Sequence, residues 1–263
     1  MTFVGAGDIA DCNSTGDSQT ATLLDDIAGT VFTLGDNAYE DGTLAEFKDC
    51  YGPTWGRHKS RTHPAVGNHE YQTPNAAGYF TYFGAKAGDP DEGWYAYNLG
   101  AWRIYALNSN CAEIGGCGDS SRQVAWLKSD LAGHPKACVL AYWHHPRYSS
   151  GMHGNNPNTD GLWDALYDAG AELVLVGHDH DYERFAPLNR TGIPDAARGI
   201  VEFVVGTGGR VHYAFNAIKS TSRAHNNTAW GVLRLRLSAG SWTSRFVPVA
   251  GRTFSDTSSG TCH

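Results

Sequence analysis

Five times along this chain a short apolar run stops and hands over to a residue that can bind a metal ion or move a proton. Phe3-Val4-Gly5-Ala6-Gly7 leads to Asp8, and Val31-Phe32-Thr33-Leu34-Gly35 leads to Asp36, with Tyr39 three residues on. Ala65-Val66-Gly67 leads to Asn68-His69-Glu70, and Val139-Leu140-Ala141-Tyr142-Trp143 leads to His144-His145. Leu173-Val174-Leu175-Val176-Gly177 leads to His178-Asp179-His180. Carboxylate, amide and phenol oxygens together with imidazole nitrogens suit a pair of transition metals. A single histidine at a strand end is more often structural than a ligand. Five such ends brought together would set carboxylates and imidazoles side by side at the border of a core. That is costly without a counter-charge, and bound cations supply one.

Those side chains must be held by strands. Short apolar, β-prone runs that stop at glycine read as buried strands. A residue just past such a strand lies at the carboxyl edge of a sheet, where α/β proteins place their chemistry. Between the runs, Asp17 or Ser18 is expected to cap a helix reaching about Ala28, and a short helix is expected around Leu44–Tyr51. Asn75–Phe83 reads as an aromatic-rich helix, and Trp94–Leu99 with Trp102–Asn108 as a hairpin about Gly100. Ser120 is expected to cap an amphipathic helix carrying Val124, Leu127 and Leu131 on one face. Residues 148–158 form a polar Gly/Asn-rich loop, of a length that is often functional. Leu162–Ala169 reads as a further helix. After His180, Ile200–Val205, Trp230–Leu237 and Ser241–Val249 read as a closing β-meander. The expected fold class is α/β, a sandwich of two mixed β-sheets flanked by helices (αββα), with residues 1–263 as one domain.

The 263 residues carry a formal charge of −7, and no basic block forms the footprint of a nucleic-acid-binding surface. Arg57, His58, Lys59 and Arg61 read as a solvated basic face, with steering of an anionic substrate as the rival reading. No apolar run approaches the roughly 20 residues that span a bilayer. Six cysteines, mostly in expected loops, favour an exported protein. The expected pairs are Cys12–Cys50, Cys111–Cys117 and Cys138–Cys262, although spacing points to the middle pair alone, which closes a small loop. The first strand begins almost at Met1, so the expectation is a mature, secreted or periplasmic domain whose signal peptide has been removed.

The order of motifs resembles the calcineurin-like metallophosphoesterases: Gly7-Asp8, Gly35-Asp36-Asn37-Ala38-Tyr39, Gly67-Asn68-His69-Glu70, the His144 strand end, and Gly177-His178-Asp179-His180. Within them the chain is similar to the purple acid phosphatase branch. The general superfamily carries a histidine two residues after the first aspartate, where Ala10 stands here. The purple branch instead carries a tyrosine three residues after the second aspartate, and Tyr39 stands there. His180-Asp181-Tyr182-Glu183-Arg184 resembles the sequence after the last motif in plant members. The likeness covers about residues 2–210, and Ala10 replaces the glycine usual in the branch.

The resemblance implies a first metal held by Asp8, Asp36, Tyr39 and His180, and a second held by Asp36, Asn68, His144 and His178. Asp36 would bridge them at roughly 3.5–4 Å. Phenolate and carboxylates suit Fe(III); imidazole and amide suit Fe, Zn or Mn as a divalent ion. The implied reaction is hydrolysis of phosphate monoesters, as in acid phosphatases, by attack of a metal-bound hydroxide on phosphorus. His69 would stabilise the transition state, and His153 would stabilise it or act as general acid. His145 could exchange roles with His144, and His145 and Arg147 are further candidate phosphate contacts. Glu70 and Asp179 are expected to orient ligands. His58, His63, His134, His212, His225 and His263 are expected to be structural. A phosphodiesterase or nucleotide hydrolase with the same metals is the alternative, and an inactive extracellular binding module is the reading from another class. The partner expected is a small phosphate ester. Oligomeric state, natural substrate and the second metal are left open by the sequence.

Overall fold

The computed structural model describes residues 1–135 and 138–263. In chain order the strands are β1 (Thr2–Ala6), β2 (Thr30–Leu34), β3 (Thr62–Ala65), β4 (Tyr95–Leu99), β5 (Trp102–Ala106), β6 (Cys138–Tyr142) and β7 (Leu173–Val176). They continue with β8 (Tyr182–Phe185), β9 (Val201–Val205), β10 (Ser222–Asn226), β11 (Gly231–Leu237), β12 (Ser241–Pro248) and β13 (Thr257–Thr261). One sheet has the order β13-β12-β11-β1-β2-β3 and the other β10-β8-β9-β7-β6-β5-β4. Strands β1, β2 and β3 run parallel, as do β5, β6, β7 and β9, and the remaining neighbours are antiparallel. Both sheets are therefore mixed, as expected.

Side-chain alternation explains how the layers stack. Leu140, Tyr142, Leu173, Leu175, Phe203 and Val205 face the first sheet, where they meet Phe3, Phe32, Leu233 and Phe246. Their strand neighbours Val139, Ala141, Val174, Val176 and Val204 face the other way. There they pack under two helices, through Val124 and Leu127 of one and Leu162, Trp163 and Leu166 of the other. Each fully buried Leu, Val or Phe contributes about 1.5–3 kcal/mol. Phe3 and Phe32 lie 5.9 and 6.1 Å from Tyr142 across the sheets, and the Tyr142 hydroxyl donates to the His63 carbonyl at 3.0 Å.

The helices are α1 (Gly16–Asp26), α2 (Leu44–Glu46), α3 (Ala77–Phe83), α4 (Arg122–Gly133) and α5 (Asp160–Asp168). Their starts correct the sequence reading. Helix α1 has Thr15 at its N-cap with no side-chain cap, because Asp17 is already inside the helix and receives the Thr54 hydroxyl at 3.0 Å. Ser121, not Ser120, caps α4 by accepting from Val124 N. The basic patch is not a free solvated face. Arg61 donates to the carbonyls of Leu24, Ile27 and Gly29 at the end of α1, and Arg57 pairs with Asp25. A guanidinium there satisfies helix-end carbonyls and the negative end of the dipole.

The closing meander is also corrected. Strand β9 leaves it and inserts between β7 and β8 in the second sheet, and only β11, β12 and β13 form a meander on the first. A uniformly buried run such as Val201–Val205 belongs in a sheet centre, covered on both faces. Strands β10 and β13 carry no apolar run at all; as half-exposed edge strands they take their register from their partners. Three disulfides join Cys12 to Cys50, Cys111 to Cys117 and Cys138 to Cys262. The last ties β6 of one sheet to the residue after β13 of the other.

Candidate metal centre

The carboxyl ends of β1, β2 and β3 meet those of β6, β7 and β9 at one end of the sandwich, and loops lace the two sheets together there. Gly7 N donates to Val205 O at 2.9 Å from one sheet to the other, and Gly177 N to His144 O at 2.9 Å within the second sheet. Asp8, Asp36 and His178 leave their strands at φ 60, 48 and 71°. They are three of the five non-glycine residues in the left-handed region among those described, so backbone strain concentrates where the side chains converge. The glycine before each turn is needed for room. A Cβ on Gly177 would stand 2.6 Å from Asp8 Oδ2, and one on Gly67 would press into the Asp36 carboxylate.

Two nests of four donors result, and they share one atom. Around the first, Tyr39 Oη lies 3.0 Å from Asp8 Oδ1, 3.1 Å from Asp36 Oδ2 and 3.2 Å from His180 Nε2. Around the second, His144 Nε2 lies 3.3 Å from Asp36 Oδ2, 2.9 Å from Asn68 Oδ1 and 3.2 Å from His178 Nδ1. All these side chains are buried or nearly so. Donors about 2.1 Å from one ion stand about 3 Å apart along a polyhedron edge, which is the spacing in both nests.

The rings are pre-set in tautomer. His144 Nδ1 donates to the Leu34 carbonyl at 2.8 Å and His180 Nδ1 to the Val211 carbonyl at 2.7 Å. In each case the neutral ring would present Nε2 as a lone pair to an ion in the nest. Glu70 holds the β2 and β3 loops by accepting from Asp36 N, Asn37 N, Ala38 N and Gly67 N at 3.0, 2.7, 3.3 and 2.7 Å. Burial, and then the Asp36 carboxylate, push Glu70 up to about 7.

The two rim histidines flank the nests. His69 donates its backbone N–H to Asp36 Oδ1 at 2.9 Å, its Nδ1 meets Glu40 O at 2.5 Å, and its Nε2 stands 3.8 Å from Asp36 Oδ2. His153 gives both its backbone N–H and Nδ1–H to Asp179 Oδ1, at 2.8 and 2.9 Å, and its ring lies 4.2 Å from that of His178. The hydrogen bond to Asp179 raises the His153 pKa against the effect of burial. His145 takes a different hydrogen-bond partner from His144, although one of its ring nitrogens lies within 4.8 Å of those of His144 and His178. Its Nδ1 engages the Ser109 hydroxyl at 2.8 Å, and burial, then His144, depress it to about 3. Its ring nevertheless stays 4.4 Å from that of His178. Arg147 turns away to Asp160 and the face of Tyr148. The histidines expected to be structural lie elsewhere: His58 beside Asp25, His63 stacked on Tyr97, His134 beside Asp130, His212 by Trp230, His225 by Phe215 and His263 beside Glu172.

A family model described as calcineurin-like phosphoesterase matches residues 1–182. The chain belongs to that family. Among curated relatives, an uncharacterized protein of Mycobacterium tuberculosis is 30% identical over 188 residues, 56% of this chain and 35% of the relative. Purple acid phosphatase 15 of Arabidopsis thaliana is 25% identical over 224 residues, 71% of this chain and 41% of the relative. This chain thus matches well under half of either relative's length. The solved purple acid phosphatase PPD1 from yellow lupin seeds superposes with a TM-score of 0.77 at 18% identity, over 98% of this chain and 53% of that one. That likeness shows the fold.

The residues of this chain fit a pair of cations. Burial opposes ionisation of Asp36, yet His144 holds it far below the usual carboxylate range. Burial likewise opposes a charge on His144, yet Asp36 and Asp8 lift it to about 9. Without an ion, a proton on His144 has to balance the carboxylates; a cation does this with every donor at once. Burial, then Asp36 and Asp8, also drive the Tyr39 hydroxyl well above its ordinary pKa, so only a strong local cation makes it a phenolate.

Sequence reasoning missed one loop of the site. After β9, Gly206-Thr207-Gly208-Gly209 leads to Arg210, the same strand-then-glycine grammar as the five other ends. Arg210 lies 4.6 Å over the Tyr39 ring and pairs with Asp11 and Glu40. Tyr213 stacks 3.9 Å from His180 and 5.5 Å from His153.

Proposed function

We propose that this phosphoesterase hydrolyses phosphate monoesters with two metal ions, and that the phosphodiester reading is its runner-up. The observation that carries this is the sharing of Asp36 Oδ2 between two four-donor nests. Asp8, Asp36, Tyr39 and His180 would hold one ion, with Fe(III) the best match to a phenol and two carboxylates. Asp36, Asn68, His144 and His178 would hold the other, a divalent Fe, Zn or Mn. When bound, such a pair supplies Lewis acidity toward phosphate oxygens and acidifies water to near neutrality.

The chain's own residues do the rest. Glu70 and the glycines fix the ligand loops, so little reorganisation is needed on binding substrate. His69, anchored by Glu40 O and Asp36 Oδ1, presents Nε2 at the rim to a phosphate oxygen. His153 gives Nδ1–H to Asp179, so Nε2 is the atom from which a proton reaches the departing alkoxide. Three disulfides support an oxidising compartment, which favours a secreted protein, and no helix among the described residues is long and apolar enough to cross a membrane. We read residues 1–263 as one functional unit.

The test is elemental analysis with a visible spectrum, then assays on p-nitrophenyl phosphate and bis(p-nitrophenyl) phosphate. Two metals per chain and faster monoester turnover are expected. Fewer than two metals after reloading would remove the paired site, and faster diester turnover would promote the runner-up.

A further inference from the structure

A cavity of about 400 Å³ opens beside the second nest, joined to it by Asn68 and His145. Its size suits a small organic group. Its walls are carboxamides and hydroxyls: Gln72, Asn110, Asn156 and Asn158, with Ser109 and Tyr71. The side chains of Gln72 and Asn158 have no protein hydrogen-bond partner among the described residues. Tyr71 Oη accepts from Asn108 Nδ2 at 2.8 Å, so its own O–H remains to be given. A carboxamide donates and accepts at once, which matches the paired donor and acceptor of alcohol hydroxyls.

The charge is one-sided. Among the described residues no lysine or arginine lines the cavity, and the one carboxylate there is Glu113. The nearby guanidiniums are committed elsewhere, Arg122 to Glu92 and Arg147 to Asp160. A second phosphate on the substrate would meet an acid where it needs a cation. The wall carrying Glu113 is stiffened by the Cys111–Cys117 disulfide and by Glu113 N donating to Asn110 O at 3.0 Å. The cavity is thus built before a ligand arrives.

We propose that this cavity seats the leaving alcohol and selects monophosphates of uncharged polyols, such as sugar phosphates, over polyanionic esters. The proposal rests on the monoesterase reading above. The experiment compares kcat/KM for glucose 6-phosphate, glucose 1,6-bisphosphate and p-nitrophenyl phosphate on the metal-loaded protein at fixed ionic strength. Glucose 6-phosphate should exceed the bisphosphate by about tenfold, and Glu113→Lys should narrow that ratio about fivefold, mainly through KM for the bisphosphate. The double variant Gln72→Leu/Asn158→Leu should lower the ratio of glucose 6-phosphate to p-nitrophenyl phosphate by about thirtyfold, since each of the two lost neutral hydrogen bonds is worth about 1 kcal/mol. A general structural defect would lower both substrates together and leave that ratio alone. As a readout free of turnover, saturation-transfer NMR with the non-hydrolysable phosphonate of glucose 6-phosphate should show ring-proton contacts that the double variant loses. A wild type that prefers the bisphosphate, ratios unmoved by both variants, or phosphonate contacts unaltered in the double variant would overturn the subsite while leaving the phosphatase standing. Absence of p-nitrophenyl phosphate hydrolysis by protein holding two metals would instead remove the monoesterase reading and the subsite with it.

Discussion

Asp36 Oδ2 stands 3.1 Å from the Tyr39 hydroxyl and 3.3 Å from His144 Nε2, so a single carboxylate oxygen serves two groups of donors. Tyr39 decides what kind of ion the first nest prefers. If it takes Fe(III), Tyr39→Phe should abolish a visible charge-transfer band while the second metal is retained; a band that survives would exclude Tyr39 as its source. His153 is held by Asp179 rather than by any nest donor, so its loss should spare the metals. His153→Ala should lower kcat by about 10²-fold on an alkyl phosphate, whose leaving oxygen needs a proton, and much less on p-nitrophenyl phosphate. Equal effects on the two esters would reassign His153 to binding phosphate.

At the scale of elements, the strand-to-loop turns carry the site, and their glycines can be ranked by what a methyl would meet. Gly67→Ala would drive a Cβ into the Asp36 carboxylate and backbone. Overpacking of that sort costs about 1–3 kcal/mol and should also weaken metal retention, read by thermal unfolding and elemental analysis. Gly133 closes α4 with open space around it, so Gly133→Ala should be neutral or stabilise by up to about 1 kcal/mol. If Gly67→Ala proved as harmless as Gly133→Ala, the close approach at β3 would not be what positions Asp36. The same turns were legible in the sequence because glycine after an apolar run is a local signal. The helix caps were misplaced by a residue or two because several Ser, Thr and Asp compete near each start, and tertiary partners such as Thr54 for Asp17 settle the choice.

For the whole molecule, Glu202 shows how the loop over the site depends on the central sheet. It lies buried in β9 and accepts Arg147 N and Tyr148 N at 2.8 and 3.0 Å, so it anchors the start of the 148–158 loop. Burial, against those two donors, pushes it up from 4.5 to about 8. Between these values the unfolded chain has released the proton and the native chain keeps it. Stability therefore falls as pH rises from about 4.5 to 8, by at most about 1.4 kcal/mol per pH unit. Glu202→Gln should flatten that slope in urea unfolding monitored from pH 5 to 8. Parallel slopes for variant and wild type would show that Glu202 is ionised in the folded chain.

The sequence alone determined which residue types leave the strands: Asp8, Asp36 with Tyr39, Asn68-His69-Glu70, His144-His145 and His178-Asp179-His180. That information is local: an apolar run dictates a buried strand, and the residues just beyond it have to sit at the sheet edge. Only the tertiary structure gave His144 and His145 their different partners, Asp36 and Asn68 for the one and Ser109 for the other. It likewise placed β9 at a sheet centre, brought Arg210 over Tyr39, and hung His153 on Asp179 across 26 residues. Each of these depends on which segments pack together, and pairing between distant segments is set by the burial of whole faces rather than by any short stretch of chain.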